Sequence, residues 1–261
     1  MVIAQTNAEP VALARLSWLR QLRNAIVDLF FPPRCGGCRR MGSWLCDRCL
    51  AQVERIHPPI CSRCGLPLDA SNPSPVSDTE HPILQCGRCR GMAPELDGRR
   101  ACAFYCGPLR EAIHQFKYRD VTVLAVPLGQ LMALAWSELA PKEQDLDAIV
   151  PVPLHPRRER ERGYNQATLL ARELGVNLGR PVVEDVLHRT RATAPQVNLN
   201  PRDRQANVQG AFRCEDLRLT GRRLLLVDDV CTTGATLEAA ASALRQAGAA
   251  AVWAYTLART R

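Results

Sequence analysis

Four Cys-x-x-Cys pairs fall between residues 35 and 89: CGGC (Cys35, Cys38), CDRC (Cys46, Cys49), CSRC (Cys61, Cys64) and CGRC (Cys86, Cys89). Two intervening residues let both sulfurs of a pair converge on one tetrahedral ion from a tight knuckle, which glycines help to form. A single pair could serve redox chemistry. Four in so short a stretch, with little hydrophobic sequence between them, point instead to two structural zinc ions. A disulfide framework is the competing explanation, and a reducing cytosol does not sustain one. The eight thiolates divide either sequentially (Cys35, Cys38, Cys46 and Cys49; Cys61, Cys64, Cys86 and Cys89) or in a cross-braced manner, and both use the same ligands. Sulfur fills every coordination position, so these ions hold structure and leave no opening for catalysis. His57 and His81 lie nearby as spectators. The polar, proline-bearing stretch from Leu68 to Ile83 reads as a loop.

The chain has 261 residues, 46% of them hydrophobic, enough for one large domain or two smaller ones. No run of roughly 18 uncharged apolar residues stands out, so no membrane-crossing helix is expected. Ahead of the cysteines, Leu13, Leu16, Leu19, Ile26 and Leu29 recur at helical spacing, and Pro32 and Pro33 end the pattern. Arg15, Arg20 and Arg23 interrupt it before a secretory core could form. The expectation is an amphipathic helix packed on the protein, in a cytoplasmic chain without stable membrane insertion. The formal charge is +8 with neutral cysteines. Eight thiolates on two zinc ions would leave about +4. Arginine supplies nearly all the positive charge, because Lys117 and Lys142 are the only lysines. Arginine suits bidentate phosphate recognition, although a GC-rich genome gives the same bias.

From residue 98 onward the pattern becomes α/β. RRACAFYC alternates like a strand, placing Cys102 and Cys106 on one face as small core residues. LREAIHQFKYR and VLAVPLGQLMALAWSEL read as helices, and LDAIVPVP as a buried strand ended by prolines. NQATLLARELGVNLG is a helix with Ala167, Leu170, Ala171 and Leu174 on one face. RLLLVDD is the central strand, ATLEAAASALRQAGA a helix ending at Gly248, and AAVWAYTLA a closing strand. Alternating strands and helices predict a doubly wound parallel sheet with ligands at the carboxyl ends of its strands. The expected division is an N-terminal helix over 1–33, a double zinc ribbon over 34–97 and the α/β domain over 98–261.

Within the last of these, LLLVDDVCTTGAT (Leu224 to Thr236) runs an apolar strand into two carboxylates and then into small hydroxyl residues around one glycine. A strand carboxyl end leading into a helix N-terminus is where such a fold receives a phosphate. Gly234 allows close backbone approach, and Thr232, Thr233 and Thr236 offer hydroxyls. Asp228 and Asp229 suit vicinal hydroxyls or a metal-bound sugar, so the combination describes a sugar-phosphate site. A mononucleotide P-loop is excluded, because neither lysine follows a glycine. The strand is expected to end at Asp229 and the helix to begin near Ala235.

These thirteen residues resemble the PRPP-binding signature of type I phosphoribosyltransferases. The resemblance implies that Asp228 and Asp229 hold the ribose as the catalytic acidic pair. It also implies that Cys231, Thr232, Thr233, Gly234, Ala235 and Thr236 cradle the 5′-phosphate, with Cys231 contributing backbone only. Together with the four cysteine pairs, VPVPLHPRRERERGYNQA and LHRTRATAPQVNLNPRDRQANVQGAF extend the resemblance to the ComF family from Cys35 onward. That likeness implies a pyrophosphate loop at Pro153, Leu154, His155 and Arg157, flanked by Arg160, Arg162, Gly163, Tyr164 and Asn165. It implies a flap from Arg189 through Arg191 to Asn207.

Two functions follow. In one, Mg²⁺ and PRPP bind and an acceptor displaces pyrophosphate at the anomeric carbon. In the other, the site senses PRPP or a nucleotide, or contacts single-stranded DNA phosphates, in an adaptor without turnover. The family resemblance then implies competence proteins such as a ComFA-type helicase as partners in DNA uptake. Aromatic residues make up 5% of the chain, which argues against a long base-stacking platform.

Overall fold

Cysteine knuckles open the computed structural model, which describes residues 32–68, 84–90, 95–139, 145–191, 208 and 210–261. The expected N-terminal helix, His81, most of the polar loop after Leu68 and the flap beyond Arg191 lie outside the described residues. A short helix α1 (Asp47–Ala51) sits among the cysteines. The rest of the order is β1 (Gly98–Phe104), α2 (Gly107–Tyr118), a 3₁₀ turn (Thr122–Leu124), α3 (Ala125–Leu139), β2 (Ala148–Pro151), α4 (Pro156–Arg162) and α5 (Gln166–Leu178). A two-stranded pair, β3 (His188–Arg189) with β4 (Phe212–Arg213), follows. The last elements are β5 (Arg223–Cys231), α6 (Ala235–Gln246) and β6 (Ala251–Arg259).

Four strands pair in the order β1-β6-β5-β2, all parallel. Side chains alternate across a pleated strand, so a parallel sheet covered on both faces needs apolar residues at consecutive positions. LLLV in β5 meets that demand. Leu225 and Val227 enter one core with Ile149, Trp253 and Tyr255, under α2, α3 and α5. Leu224 and Leu226 enter the other with Val150, Val252 and Ala254, under Leu237, Ala240, Ala241 and Leu244 of α6. Helices on both faces make the sheet doubly wound, as the sequence predicts.

The cysteine-bearing segment is not a separate body. It pairs with the open edge of β1: Ile56 N–H donates to the Cys102 carbonyl at 3.0 Å, and Phe104 N–H to the Glu54 carbonyl at 2.9 Å. This covers an edge that would otherwise template aggregation. Cys35, Leu45, Cys49, Val53 and Ile56 belong to the same hydrophobic cluster as Ile113, Phe116 and Leu128.

Three expectations change. Thr122–Leu139 is long and apolar enough to cross a membrane by composition. Here it packs on the sheet, with Leu128 and Met132 fully buried and the Tyr255 hydroxyl donating to the Met132 carbonyl at 2.7 Å. Cys102 is a core residue, but Cys106 lies beyond the end of β1, and its thiol donates to Glu54 at 3.4 Å. β5 continues past Asp229 to Cys231, because Val230 and Cys231 still pair with Ala258 and Arg259 of β6.

Candidate functional site

The eight paired cysteines form two groups: Cys35, Cys38, Cys46 and Cys49, and Cys61, Cys64, Cys86 and Cys89. In each, four sulfurs lie within 4.8 Å of one another. The division is therefore sequential. Backbone N–H groups point at sulfur in equivalent places, Cys46 to Cys35 Sγ and Cys86 to Cys61 Sγ, each at 3.4 Å. Such donors favour thiolate over thiol. Burial pushes the Cys35 thiol up, but backbone donors from Cys46, Cys38 and Gly37 outweigh it and bring its pKa to about 6. The Cys64 side chain, helped by nearby amides, brings Cys61 to about 4 against the effect of burial. Burial pushes the Cys49 and Cys89 thiols up, and the Cys61 side chain followed by burial does the same to Cys64, so each group pairs a thiolate-favouring sulfur with sulfurs whose protons an ion would displace. Four convergent sulfurs fit tetrahedral zinc in both places, and Cys35, Cys49, Cys61, Cys64 and Cys89 are buried, as a structural site requires. His57 faces Glu138 at 3.1 Å and takes no part.

The second site stands at the carboxyl end of β5. Asp229 is buried, and Lys117 Nζ lies 2.7 Å from its Oδ1. Burial draws the Lys117 amine down, but Asp229 and then Asp228 outweigh it, so the ammonium form is favoured. Among the described residues, no ion pair is formed by Asp228. Burial, and then the negative charge of Asp229, raise its pKa to about 7, with Lys117, the Asp229 amide and Arg189 opposing. Asp228 Oδ1 accepts that Asp229 amide at 2.8 Å. The pair is thus one carboxylate neutralised by lysine beside one poised to gain or lose a proton near neutrality.

Cys231 ends the strand and is buried, its carbonyl accepting Thr260 N–H at 3.0 Å. The connecting loop is Thr232 to Gly234, with Ala235 and Thr236 opening α6. Thr233 Oγ1 accepts the Ala235 amide at 3.3 Å. Gly234 is left-handed at φ +86°, and a β-carbon there would overlap Arg99 Nη1. Arg99, not an anion's volume, is what its missing side chain accommodates.

Around this centre the remaining candidates divide. His155 caps α4 by accepting Arg157 N–H at 3.2 Å, after Pro153 and Leu154. Arg157 is exposed and pairs with Glu161, and Arg160 is exposed. Arg162 lies 5.2 Å over the exposed ring of Tyr118, the neighbour of Lys117. Tyr164 donates its hydroxyl to the Phe116 carbonyl. Asn165 serves the fold, capping α5 through Ala167 N–H at 3.0 Å and donating to Val152 O at 3.0 Å. Arg189 is buried over Phe212 and close enough to Asp228 for each to shift the other's ionisation. Arg191 is exposed. Sequence reasoning missed Lys117, although its rarity in an arginine-rich chain was a signal. It also gave Arg99 no role.

Residues 26–90 match the double zinc ribbon domain family and residues 160–261 the phosphoribosyl transferase domain family. The molecule is thus a phosphoribosyltransferase-type α/β domain with a double zinc ribbon fixed to its sheet edge. It is 37% identical over 238 residues to the DNA utilization protein YhgH of Escherichia coli, covering 89% of this chain and 99% of that protein. It is 32% identical over 239 residues to competence protein F of Haemophilus influenzae, covering 88% and 98%. Competence protein ComFC of Bacillus subtilis is 27% identical over 221 residues, covering 83% and 84%. The chain belongs to the ComF family.

Proposed function

We propose that this protein binds PRPP with Mg²⁺ at the carboxyl end of β5 and acts as a phosphoribosyltransferase in the use of imported DNA. The observation that carries the reading is the placement of two adjacent carboxylates near the carboxyl end of β5, with the Thr232–Gly234 loop leading from that strand into the N-terminus of α6. Asp228 and Asp229 would accept the ribose hydroxyls, and the amides and hydroxyls from Thr232 to Thr236 would hold the 5′-phosphate where the helix dipole is positive. Pro153, Leu154, His155 and Arg157 would face pyrophosphate, with Arg160, Arg162, Tyr164, Asn165, Arg189 and Arg191 around it. Mg²⁺ would neutralise charge on the pyrophosphate oxygens. In transfer, the bond from the anomeric carbon to pyrophosphate breaks as the acceptor's bond forms, and the acceptor's proton departs. Catalysis would rest on positioning and on electrostatic support of an oxocarbenium-like centre.

The names of the relatives, a DNA utilization protein and competence proteins, support a setting of DNA uptake; the cytoplasm as its place, and single-stranded DNA and a ComFA-type helicase as its partners, belong to the same proposal. The test is calorimetric titration with PRPP and Mg²⁺, followed by assay of pyrophosphate release with candidate acceptors. Asp228→Asn with Asp229→Asn removes charge-assisted acceptors worth about 1.5–3 kcal/mol each, so affinity should fall at least roughly tenfold. Wild-type affinity in that double variant would make the carboxylates structural. Binding without turnover would leave a PRPP sensor.

A further inference from the structure

The second zinc knuckle and the loop before α6 are joined through one residue. Arg99 is the second residue of β1. Its N–H donates to the carbonyl of Arg63, inside the CSRC knuckle, at 2.6 Å. Its own carbonyl lies so close to Gly65 that a β-carbon there would overlap it. Its neighbours repeat the attachment: Arg100 Nη1 donates to Ser62 O at 2.8 Å, and Arg259 Nη1 to Cys64 O. Three successive carbonyls of the knuckle are therefore held by residues of β1 and β6. Such cations suit the place, because a zinc ion with four thiolates carries a net charge of about −2.

The same Arg99 reaches the other way. Its Nη1 donates to the Thr233 carbonyl at 3.0 Å and fills the space beside Gly234. A parallel contact runs from α6, where a Glu238 carboxylate oxygen accepts the amides of Glu95 at 3.1 Å and Leu96 at 3.2 Å, just ahead of β1.

We propose that Arg99 is a positioning residue that transmits the order of the second zinc knuckle to the Thr232–Gly234 loop, so that the loop is ordered only when Cys61, Cys64, Cys86 and Cys89 hold zinc. Metal convergence fixes the Arg63 carbonyl, the carbonyl fixes the start of β1, and the guanidinium then holds the loop from its outer side. Zinc thereby governs the Thr232–Gly234 loop without touching it. The effect on PRPP rests on the function proposed above; the effect on the loop does not.

Amide hydrogen exchange of the full-length, zinc-loaded protein tests this without any ligand. Arg99→Gln should retain two zinc ions per chain, while amides of residues 232–236 exchange roughly tenfold faster, the consequence of losing a charged hydrogen bond. Cys86→Ser should lose one zinc and accelerate the same amides. In the Arg99→Gln background it should add no further acceleration. If Cys86→Ser does not fold, stepwise chelation of wild type and Arg99→Gln gives the same comparison. Unchanged exchange in Arg99→Gln overturns the proposal. So does equal acceleration by zinc loss in both backgrounds. PRPP affinity should fall roughly tenfold in Arg99→Gln. Failure of the wild type to bind PRPP would overturn the proposed function and leave the exchange comparison to decide this inference.

Discussion

Lys117 Nζ and Asp229 Oδ1 stand 2.7 Å apart, joining the end of α2 to the carboxyl end of β5. The ion pair is mostly buried, with 19% and 11% of the two side chains exposed. Under the function proposed above, the acidic pair admits a sugar carrying several negative charges. A resident ammonium lowers the repulsion that this anion would otherwise meet.

Removing that ammonium should be costly. Lys117→Met leaves Asp229 buried, charged and unpaired, and breaking such a pair typically costs about 3–5 kcal/mol. Urea unfolding at pH 8 should report a loss of this order, and Asp229→Asn in the same protein should recover much of it. With two lysines in the chain, ¹⁵Nζ-lysine NMR offers a direct check. The Lys117 signal should move on Asp229→Asn, and a stationary signal would contradict the pairing.

Asp228 gives a pH dependence whose sign follows from its raised pKa. Between its ordinary value of 3.8 and about 7 the folded state keeps a proton that the unfolded chain has released. Stability therefore falls as pH climbs through that window, and Asp228→Asn should flatten the fall. PRPP affinity should move the opposite way, rising from pH 6 to pH 8 as the carboxylate becomes an acceptor. Thermal melts and calorimetry across that range test both. A melting temperature that rises with pH in the wild type but not in the variant would reverse the assignment.

Zinc removal should act on the whole molecule. An α/β domain with its own core, as a division of the chain at residue 98 implies, would survive loss of the ribbon. The structure instead places Cys35, Cys49, Val53 and Ile56 in one cluster with Phe116 and Leu128. Chelation should accordingly lower a single cooperative transition seen equally by near-UV dichroism and calorimetry. Two separated transitions would mean that the ribbon and the sheet fold independently.

Gly234→Ala should damage the loop for two reasons that separate experimentally. The φ of +86° costs a non-glycine residue about 1–3 kcal/mol, and the methyl group also displaces Arg99. Adding Arg99→Ala should relieve the overlap and leave the backbone strain, so the double variant should melt above the sum of the two single losses. Strict additivity would show that Arg99 does not press on the loop.

Binding to single-stranded DNA, if measured, should weaken steeply with salt, since arginine contacts to phosphate release counterions. Retention of affinity from 50 to 200 mM salt, conditions under which about six phosphate contacts would lose about 10³-fold, would exclude an arginine-based interface.

What the sequence discloses is what lies close together along it. The cysteine knuckles, the strand LLLVDD and the threonine-glycine loop each state their chemistry within a few residues. The ligand grouping does not, because sequential and cross-braced arrangements share the same spacing. Lys117 and Arg99 act on residues 112 and 134 positions away, and no local pattern announces such partners. Gly234 was legible as a glycine that had to be one, but for half the reason: an arginine from β1 occupies the space that the sequence assigns to an anion. Strand periodicity followed as far as Cys106 runs past the end of β1 at Phe104, because Cys106 already caps the helix that Gly107 and Pro108 begin.

The sheet order also sets a sequence of assembly. Among the described strands β1 has β6 as its sheet neighbour, while the second cysteine knuckle rests on β1. During synthesis the knuckles leave the ribosome early and can take up metal at once. Their seat stays incomplete until residues 251–259 insert between β1 and β5. Such long-range pairing is slow relative to local folding. The nascent chain therefore carries an exposed, metal-loaded module and an unpaired strand edge throughout most of its translation. The last strand to arrive closes both at once.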